Sequence, residues 1–496
     1  MEDLILSLDI GTTIIKCVLF NKEGQERMVA EKRYHLIFPQ PDYVEIDPAE
    51  LWSAVQQTIN QIVSSIKTNE QISALVVTTQ GGSVLPVDQY GQPTHNLITW
   101  LDKRAKTLVQ QWNADGTSKT IRKNSGWNPQ PGLPLVLIAW LRQNNRQVFQ
   151  KSAKWLSVND FIIHKLTGNY VTNPSMAGEM LLVDIQKCVW HEGLCKLAGI
   201  NPSQLSPIMP SSAIVGKITD SASKETTLPK GLPVVNGGQD HACEAIAFGA
   251  INAKNTILAC GTAWVINIVK DEGSVDTLPN QMDLNFHVLP DKWIASQFLG
   301  ELGSYPEWIL RQFWSSSNTF DDMNLNLLQK NIIHENLFFL PLNGSRQLDK
   351  QTNYGGFIGA KLNHDRVDLS KAVLENAAFE VRWALEQLKE TNHIKIQKLW
   401  MIGGATRSPV WPNIIADINE LEIILTAYAH GPALGAAILG MLSLGFIEKP
   451  DQFFQFLQLE EKIIKPNKSN SQAYSNKYIK YQTLTRNFSK LLESDS

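Results

Sequence analysis

Leu4-Ile-Leu-Ser-Leu-Asp9-Ile-Gly11-Thr12-Thr13-Ile-Ile-Lys16-Cys-Val-Leu-Phe20 is the stretch that decides the fold. Two apolar runs rich in β-branched residues flank the polar segment Asp9–Thr13, which contains a glycine. This pattern predicts a strand, a tight turn and a second strand.

A similar segment occurs about 250 residues later, where Leu258-Ala259-Cys260-Gly261-Thr262 echoes residues 8–12. Both segments lie between strand-like runs, so the echo predicts two similar lobes. A match this short also arises by chance. The length of 496 residues independently favours two to three domains. The two segments differ at one chemically important position, because Asp9 has no acidic counterpart at Ala259.

Predicted strands and helices alternate along the chain. A helix starts near Asp47-Pro48, and a β-branched strand over 72–79 ends at Gln80-Gly81-Gly82. Further on, apolar residues at helical spacing over 374–388 predict a long helix, and the strand 398–402 stops at a glycine turn. Such alternation predicts a buried α/β fold with a parallel or mixed sheet in each lobe.

We predict three regions from these patterns. Residues 1–250 form a first lobe, residues 251–447 form a second lobe, and residues 448–496 form a polar tail that ends in an amphipathic helix. The helix over 433–444 is rich in alanine and glycine, which favours close packing against its neighbours.

Composition excludes several classes of function. Lysine and arginine number 45 against 48 acidic residues, and the formal net charge is -3, so nothing indicates a nucleic-acid partner. No segment approaches the roughly 18 uninterrupted apolar residues of a membrane span. The five cysteines are scattered without a CxxC pair, which favours a reducing compartment. We therefore expect a cytoplasmic protein that binds small molecules.

The turn after the first strand has the groups that bind phosphate. Gly11 permits close approach of backbone N–H groups, Thr12 and Thr13 offer hydroxyl donors, and Lys16 offers a cation. Asp9 at the strand end could hold Mg²⁺ through water. The alternative is a hairpin turn in which the glycine is left-handed and the lysine is merely solvated.

Two later turns have a comparable form. Gly261-Thr262 repeats the first turn, and Gly403-Gly404-Ala405 follows a strand with residues small enough for an adenine or ribose to lie against the backbone. An ordinary strand bend and a ligand-free glycine turn are the alternatives. Together with the first turn, they could clamp the phosphates of a nucleotide from two lobes.

Asp240 follows a strand in Asn236-Gly-Gly-Gln239-Asp240-His241 and begins an alanine-rich helical stretch. A carboxylate here could accept the proton of a hydroxyl that attacks a γ-phosphate. Capping of the helix by Asp240 would explain its position equally well. We interpret His241 as a structural or substrate-contacting residue.

In their order and spacing these segments resemble the FGGY carbohydrate kinases, from Asp9 to about Leu444. The resemblance implies two ribonuclease-H-like lobes of the actin, Hsp70 and hexokinase type, with ATP and Mg²⁺ between them. It implies that residues 9–13 and 261–262 bind phosphate, that residues 403–405 bind adenosine, and that Asp240 is the catalytic base. Related enzymes are often dimers, which leaves a homodimer open.

The resemblance also predicts a substrate site. We assign Gln80, Gly81, Gly82, Asp102, Gln239 and Asp240 to it. A ketopentose such as xylulose or ribulose is the expected acceptor, and the alternatives are another polyol or sugar acid, such as erythritol, glycerol, fuculose or gluconate. A non-catalytic nucleotide-dependent interaction protein is an alternative of a different class.

Two departures from the family pattern concern the ligands. Xylulokinases usually carry Met-His, and glycerol kinases Arg-Glu, where this chain has Gly81-Gly82. The glycines leave room for a bulkier substrate or for a side chain from elsewhere. Ala263 stands where the second phosphate segment usually has serine, which removes one hydroxyl donor.

Overall fold

Two mixed β-sheets organise the chain, one in each half. The computed structural model describes residues 2–253, 255–330, 332–340, 356–392, 396, 398–426, 430–456 and 461–494. The strands of the first half are β1 (Glu2–Ile10), β2 (Ile14–Phe20), β3 (Glu26–Arg33), β4 (Glu45–Ile46), β5 (Glu70–Thr79), β6 (Leu85–Val87), β7 (Leu97–Ile98), β8 (Lys154–Leu156), β9 (Val183–Asp184), β10 (Val189–Trp190), β11 (Ile214–Lys217) and β12 (Pro233–Gln239). Its helices are α1 (Pro48–Val63), α2 (Lys106–Ala114), α3 (Thr117–Ser125), α4 (Pro134–Asn144), α5 (Arg146–Lys151), α6 (Val158–Thr167), α7 (Pro174–Glu179), α8 (Glu192–Ala198), α9 (Asp220–Thr226) and α10 (Asp240–Ala247).

The second half has fewer and longer elements. Its strands are β13 (Thr256–Cys260), β14 (Trp264–Lys270), β15 (Asp283–Phe286), β16 (Trp293–Gly300), β17 (Phe338–Leu340), β18 (Gly356–Ile358), β19 (Lys398–Ile402), β20 (Glu422–Thr426) and β21 (Glu461–Ile464). Its helices are α11 (Tyr305–Phe313), α12 (Phe320–Gln329), α13 (Arg366–Asn392), α14 (Trp411–Asn419), α15 (Gly431–Ser443), α16 (Pro450–Phe456) and α17 (Lys468–Ser494). Short 3-10 turns cover Pro202–Gln204, Leu302–Ser304 and Gly404–Arg407.

The two large sheets repeat one topology. The first has the order β11-β12-β5-β1-β2-β3, and the second has the order β15-β16-β14-β13-β19-β20-β21. In each sheet an antiparallel meander of three strands is extended by two parallel strands, namely β5 and β12 in one and β19 and β20 in the other. The prediction of two similar lobes built on mixed sheets is confirmed.

Several predicted elements are confirmed in position. Helix α1 begins at Pro48 because the Asp47 side chain accepts a hydrogen bond from Ala49 N and caps it. Strand β19 has the predicted bounds, and α13 and α15 cover the predicted helical runs. The turns at residues 11–13 and 261–263 each join two antiparallel strands.

Helices α10 and α15 pack against each other between the lobes. Helix α15 belongs to the second half of the chain but also packs on β1, β5 and β12 of the first sheet. A Cβ at Gly435 would lie 1.8 Å from the carbonyl oxygen of Cys243 in α10, so only glycine permits this helix contact. The small residues of α15 thus bring the lobes together at the helix that begins with Asp240.

The C-terminal tail belongs to the second lobe. Strand β21 pairs with β20 at the edge of the second sheet. Helix α17 buries Tyr474, Tyr478 and Tyr481 in the core around Phe379. The sequence predicts an amphipathic helix at the end of the polar region 448–496, and these tyrosines form its buried face.

None of the described helices combines the length and the apolar composition that a membrane-spanning helix needs. All five cysteines are free thiols, and four of them are buried.

Replacing Gly435 with alanine should destabilise the protein by about 1–3 kcal/mol, because the new Cβ overlaps a backbone atom that has little freedom to move. A lower midpoint of thermal unfolding would show this. Ser443→Ala, at the half-exposed end of the same helix, is the control and should change the midpoint little. An unchanged midpoint for Gly435→Ala would contradict the close packing of α10 and α15.

Candidate active site

Three adjacent parallel strands end at the same edge of the first sheet. In the register of β1, β5 and β12, Asp9 lies beside Thr78, and Gln239 lies beside Thr79. The segments that follow these strands therefore meet at one place, as the loops at the carboxyl ends of parallel strands do. Asp9, Gln80 and Asp240, which are far apart in the sequence, become neighbours in this way.

Asp9 is 9% exposed at the end of β1. Burial, followed by the negative charge of Asp240, raises the pKa of Asp9 to about 7. Lys16 lies opposite Asp9 in the β1–β2 register and opposes that rise. Asp9 and Asp240 are therefore electrostatically coupled, and a cation brought between them would favour the ionised form of both.

The first turn is hydrogen-bonded to the residue after β5. The Thr12 hydroxyl donates to Gln80 Oε1 at 2.9 Å and accepts from Trp100 Nε1 at 3.1 Å. Gln80 is 3% exposed, and its Nε2 has no hydrogen-bond partner among the described residues. A buried amide donor without a partner is costly, so Gln80 is poised to donate to a ligand. The turn also contains Thr13, whose side chain is exposed.

Asp240 is the first residue of α10, and the residue before it caps the helix. Gln239 Oε1 accepts from Ala242 N at 3.0 Å, and Gln239 Nε2 donates to Asp240 Oδ1. His241 N also donates to Asp240 Oδ1, at 2.8 Å. Gln239 therefore caps the helix, which was the alternative role predicted for Asp240. Burial raises the pKa of the Asp240 carboxyl, while the neighbouring His241 lowers it.

His241 lies among carboxylates. Its Nδ1 is 3.7 Å from Glu244 Oε2. Burial disfavours its charged form, but Asp240, Glu244 and Glu179 outweigh burial and raise the pKa of His241 to about 10. His241 is therefore a cation at neutral pH, and it offsets part of the negative charge of this site.

A cavity of about 280 Å³ lies between the lobes beside these residues. We call it the interlobe cavity, and residues of both halves line it, among them Trp100, Trp127, Glu179, Gln239, His241 and Asp283. Aromatic faces together with a few polar groups suit a small polar ligand.

Glu179 is a residue of this cavity that the sequence does not assign to a site. It ends α7, is 8% exposed, and lies against Gly81, where a Cβ would be 1.5 Å from its Oε2. A Cβ at Gly82 would be 3.7 Å from the same atom. Burial, followed by the charge of Asp240, raises the pKa of Glu179 to about 8. The two glycines indicate free space beside Gln80, but the sequence does not indicate which side chain fills that space.

Asp102, which the sequence assigns to the substrate, lies in a buried ion network. Its Oδ1 accepts from Arg104 N and Nε, both at 2.9 Å, and its Oδ2 accepts from Val44 N at 2.7 Å and Arg104 Nη2 at 2.8 Å. Arg104 also contacts Glu45 at 2.6 Å. Both oxygens of Asp102 are fully used, and the residue is 1% exposed, so its carboxylate is not available to a ligand here.

A second cavity, of about 470 Å³, lies in the second lobe. We call it the second-lobe cavity, and Gly261, Thr262, Gly404, Ala405, Arg407 and Trp411 are among the residues that line it. Parallel pairing of β13 with β19 brings its two glycine turns together. The turn requires glycine at position 403, because its φ is +92° and a Cβ there would be 2.7 Å from Cys260 O.

Family models match most of the chain. The N-terminal domain of the FGGY family of carbohydrate kinases matches residues 4–247, and the C-terminal domain of the same family matches residues 258–444. The chain belongs to the FGGY family. It is therefore a carbohydrate kinase, and kinases of this family use ATP as the phosphate donor.

Relatives of this kinase differ in their acceptors. It is 24% identical over 491 residues to "Xylulose kinase" of Staphylococcus xylosus, covering 97% of this chain and 99% of the relative. It is 25% identical over 463 residues to "Gluconokinase" of Bacillus subtilis strain 168, covering 91% and 90%. Its structure matches ligand-bound xylulose kinase from Lactobacillus acidophilus with a TM-score of 0.92, 25% identity and full coverage of both chains.

We expect Asp102→Asn to lower stability by about 3 kcal/mol while leaving acceptor binding unchanged, because removing one member of a buried ion network leaves charge uncompensated. Thermal unfolding together with the acceptor KM of the folded enzyme measures both effects. A large rise in KM at unchanged stability would instead assign Asp102 to the substrate.

Proposed function

We propose that this kinase transfers the γ-phosphoryl group of ATP to a hydroxyl of a ketopentose such as xylulose or ribulose, with Asp240 as the general base. One observation carries the proposal. Asp240 directly follows β12 at the sheet edge that also carries Asp9 and Gln80, and it lies beside the interlobe cavity that Glu179 lines. Its neighbours Gln239 and His241 line the same cavity. A base in this position can reach an acceptor next to a bound phosphate.

The nucleotide would span the two lobes. We assign adenosine to the second-lobe cavity against Gly403, Gly404 and Ala405. Its phosphates would meet the turn at 261–262 on one side and Gly11, Thr12, Thr13 and Lys16 on the other. Gly261 and Thr262 are exposed at this cavity, which supports the arrangement. Thr12 would have to exchange its hydrogen bond to Gln80 for one to phosphate.

Asp9 fits Mg²⁺ that arrives with ATP. Within the described ranges there is no group of three or more His, Cys, Asp or Glu side chains arranged to hold a metal ion. This donor set suits Mg²⁺, which keeps several waters and takes one or two protein carboxylates plus substrate phosphates. The buried, charge-repelled Asp9 would be stabilised by such a cation. When bound, Mg²⁺ neutralises charge on the phosphates.

The chemistry assigned to Asp240 is a single proton transfer. The acceptor hydroxyl gives its proton to the Asp240 carboxylate as its oxygen bonds to the γ-phosphorus, and the bond from that phosphorus to the β–γ bridging oxygen breaks to release ADP. The hydrogen bonds from Gln239 Nε2 and His241 N hold the carboxylate in place.

A sugar acid is the second candidate acceptor. The chain is 25% identical to a gluconokinase and 24% identical to a xylulose kinase, so overall similarity supports a sugar acid as much as it supports xylulose. A coupled ADP-release screen over ketoses, polyols and aldonates distinguishes the two. Turnover of none of these classes would contradict the proposed function.

Asp240→Asn should lower kcat by about a hundredfold or more with a small change in KM, because the amide keeps the shape but accepts no proton. The wild-type kcat/KM should fall as the pH drops through the pKa of Asp240, which burial places above the usual range of aspartate. Turnover of the variant within a few-fold of wild type would remove Asp240 from the mechanism.

Gly404→Val should raise the KM for ATP about tenfold and leave the KM for the acceptor unchanged, because a side chain there enters the second-lobe cavity. Its Cβ would lie 4.0 Å from Cys260 O, so the fold should tolerate it. Gly403→Ala is the matched comparison, since its left-handed φ and contact with the backbone predict a loss of stability instead. An unchanged KM for ATP in Gly404→Val would place adenosine elsewhere.

A further inference from the structure

We propose that Glu179 is a specificity-determining residue that binds hydroxyls of the acceptor and restricts this kinase to uncharged ketoses and polyols, excluding aldonates. The inference rests on the proposed function, because it assumes that the interlobe cavity holds the acceptor. It gives a role to Glu179, which lies outside the glycine turns and is not the proposed base.

Glu179 occupies the space of a missing side chain. Its Oε2 would lie 1.5 Å from a Cβ at Gly81, and its Cδ would lie 2.3 Å from it, so any side chain at 81 would displace the carboxylate. A carboxylate from α7 therefore stands where a side chain at position 81 would begin, next to Gln80.

Helix α7 is hydrogen-bonded to the end of β12, immediately before Asp240. Asn173 Oδ1 accepts from Met176 N at 3.0 Å and caps the helix, and the Ser175 hydroxyl donates to the same oxygen at 2.8 Å. That hydroxyl in turn accepts from Gln239 N at 2.9 Å. Glu179 is therefore held on an element whose position is fixed relative to the proposed base.

The Glu179 carboxyl has no partner. It is 8% exposed, and within the described part of the chain it makes no hydrogen bond or ion pair, although it lines the interlobe cavity. Burial first, then Asp240 and Asp283, raise its pKa to about 8, and His241 opposes that rise. Hydroxyl groups of an acceptor in the cavity can both donate to and accept from such a carboxyl.

The charges around the cavity oppose a second carboxylate. Asp283 also lines it, and burial raises its pKa to about 6, although Asn128 donates to its Oδ1 through N and Nδ2, both at 2.8 Å. His241 is the one basic side chain among the described residues that line this cavity, and Asp240 and Glu244 already flank it. An aldonate would therefore place its carboxylate beside the acidic side chains of Glu179, Asp240 and Asp283, whereas a neutral polyol adds no charge there.

The test compares neutral acceptors with aldonates of the same carbon number, such as ribulose and ribitol with ribonate, and sorbitol with gluconate. We expect wild type to prefer its best neutral acceptor over the matched aldonate by about a hundredfold or more in kcat/KM. Glu179→Gln keeps the shape and removes the ionisable carboxyl group. It should raise the neutral acceptor KM about tenfold, leave kcat within a few-fold, and narrow the preference by about tenfold. An unchanged KM and preference in Glu179→Gln, or a wild-type preference for an aldonate, would overturn the inference.

A double-mutant cycle separates binding from packing. Gly81→Ala should raise the acceptor KM by pushing the carboxylate aside, and it should have little effect when Glu179 is already alanine. A role in packing alone would appear as a lower unfolding midpoint with unchanged KM values, and would contradict the proposal.

Calorimetric binding distinguishes failure of this inference from failure of the proposed function. If no compound is phosphorylated, the proposed function fails. Neutral acceptors should nevertheless bind the wild-type protein and outcompete aldonates, and they should bind Glu179→Gln about tenfold more weakly. Binding of aldonates in preference to neutral compounds, or no binding of any neutral compound, would overturn the role of Glu179. An aldonate kinase that still depends on Asp240 would overturn it and leave the catalytic proposal standing.

Discussion

Parallel pairing of β1, β5 and β12 brings Asp9, Gln80 and Gln239 to one sheet edge, and the chemistry proposed for this kinase depends on that alignment. The second sheet repeats the arrangement with β13 and β19, whose turns meet at the second-lobe cavity. The two edges are joined where α10 and α15 pack without an intervening side chain at Gly435. The helix that begins with Asp240 is thus part of the connection between the lobes.

Features that depend on short stretches of sequence could be predicted. The turns at 11–13 and 261–263 follow from glycine between β-branched runs, and strand β19 follows from its apolar run before Gly403. The repeated motif correctly indicated two similar sheets, because each lobe begins with the same hairpin. The order of the segments indicates the FGGY family, and the family models confirm that membership.

Features that depend on distant contacts could not be predicted. Nothing near residue 179 indicates that its carboxylate fills the space beside Gly81, since the two residues meet only in the folded chain. The sequence makes Asp102 look like a ligand, but Arg104 and the Val44 amide use its oxygens. These cases show why acidic residues of a sugar site are distinguished by their partners rather than by their position in a motif.

The central claim is that Asp240 faces the acceptor hydroxyl while the first and second turns hold the phosphates. A crystal structure of wild type with a non-hydrolysable ATP analogue and its acceptor tests this most directly. We expect an Asp240 carboxylate oxygen within about 2.6–3.2 Å of the hydroxyl that points at the γ-phosphate. An acceptor bound with that hydroxyl facing another residue, and with Asp240 buried away from it, would contradict the account.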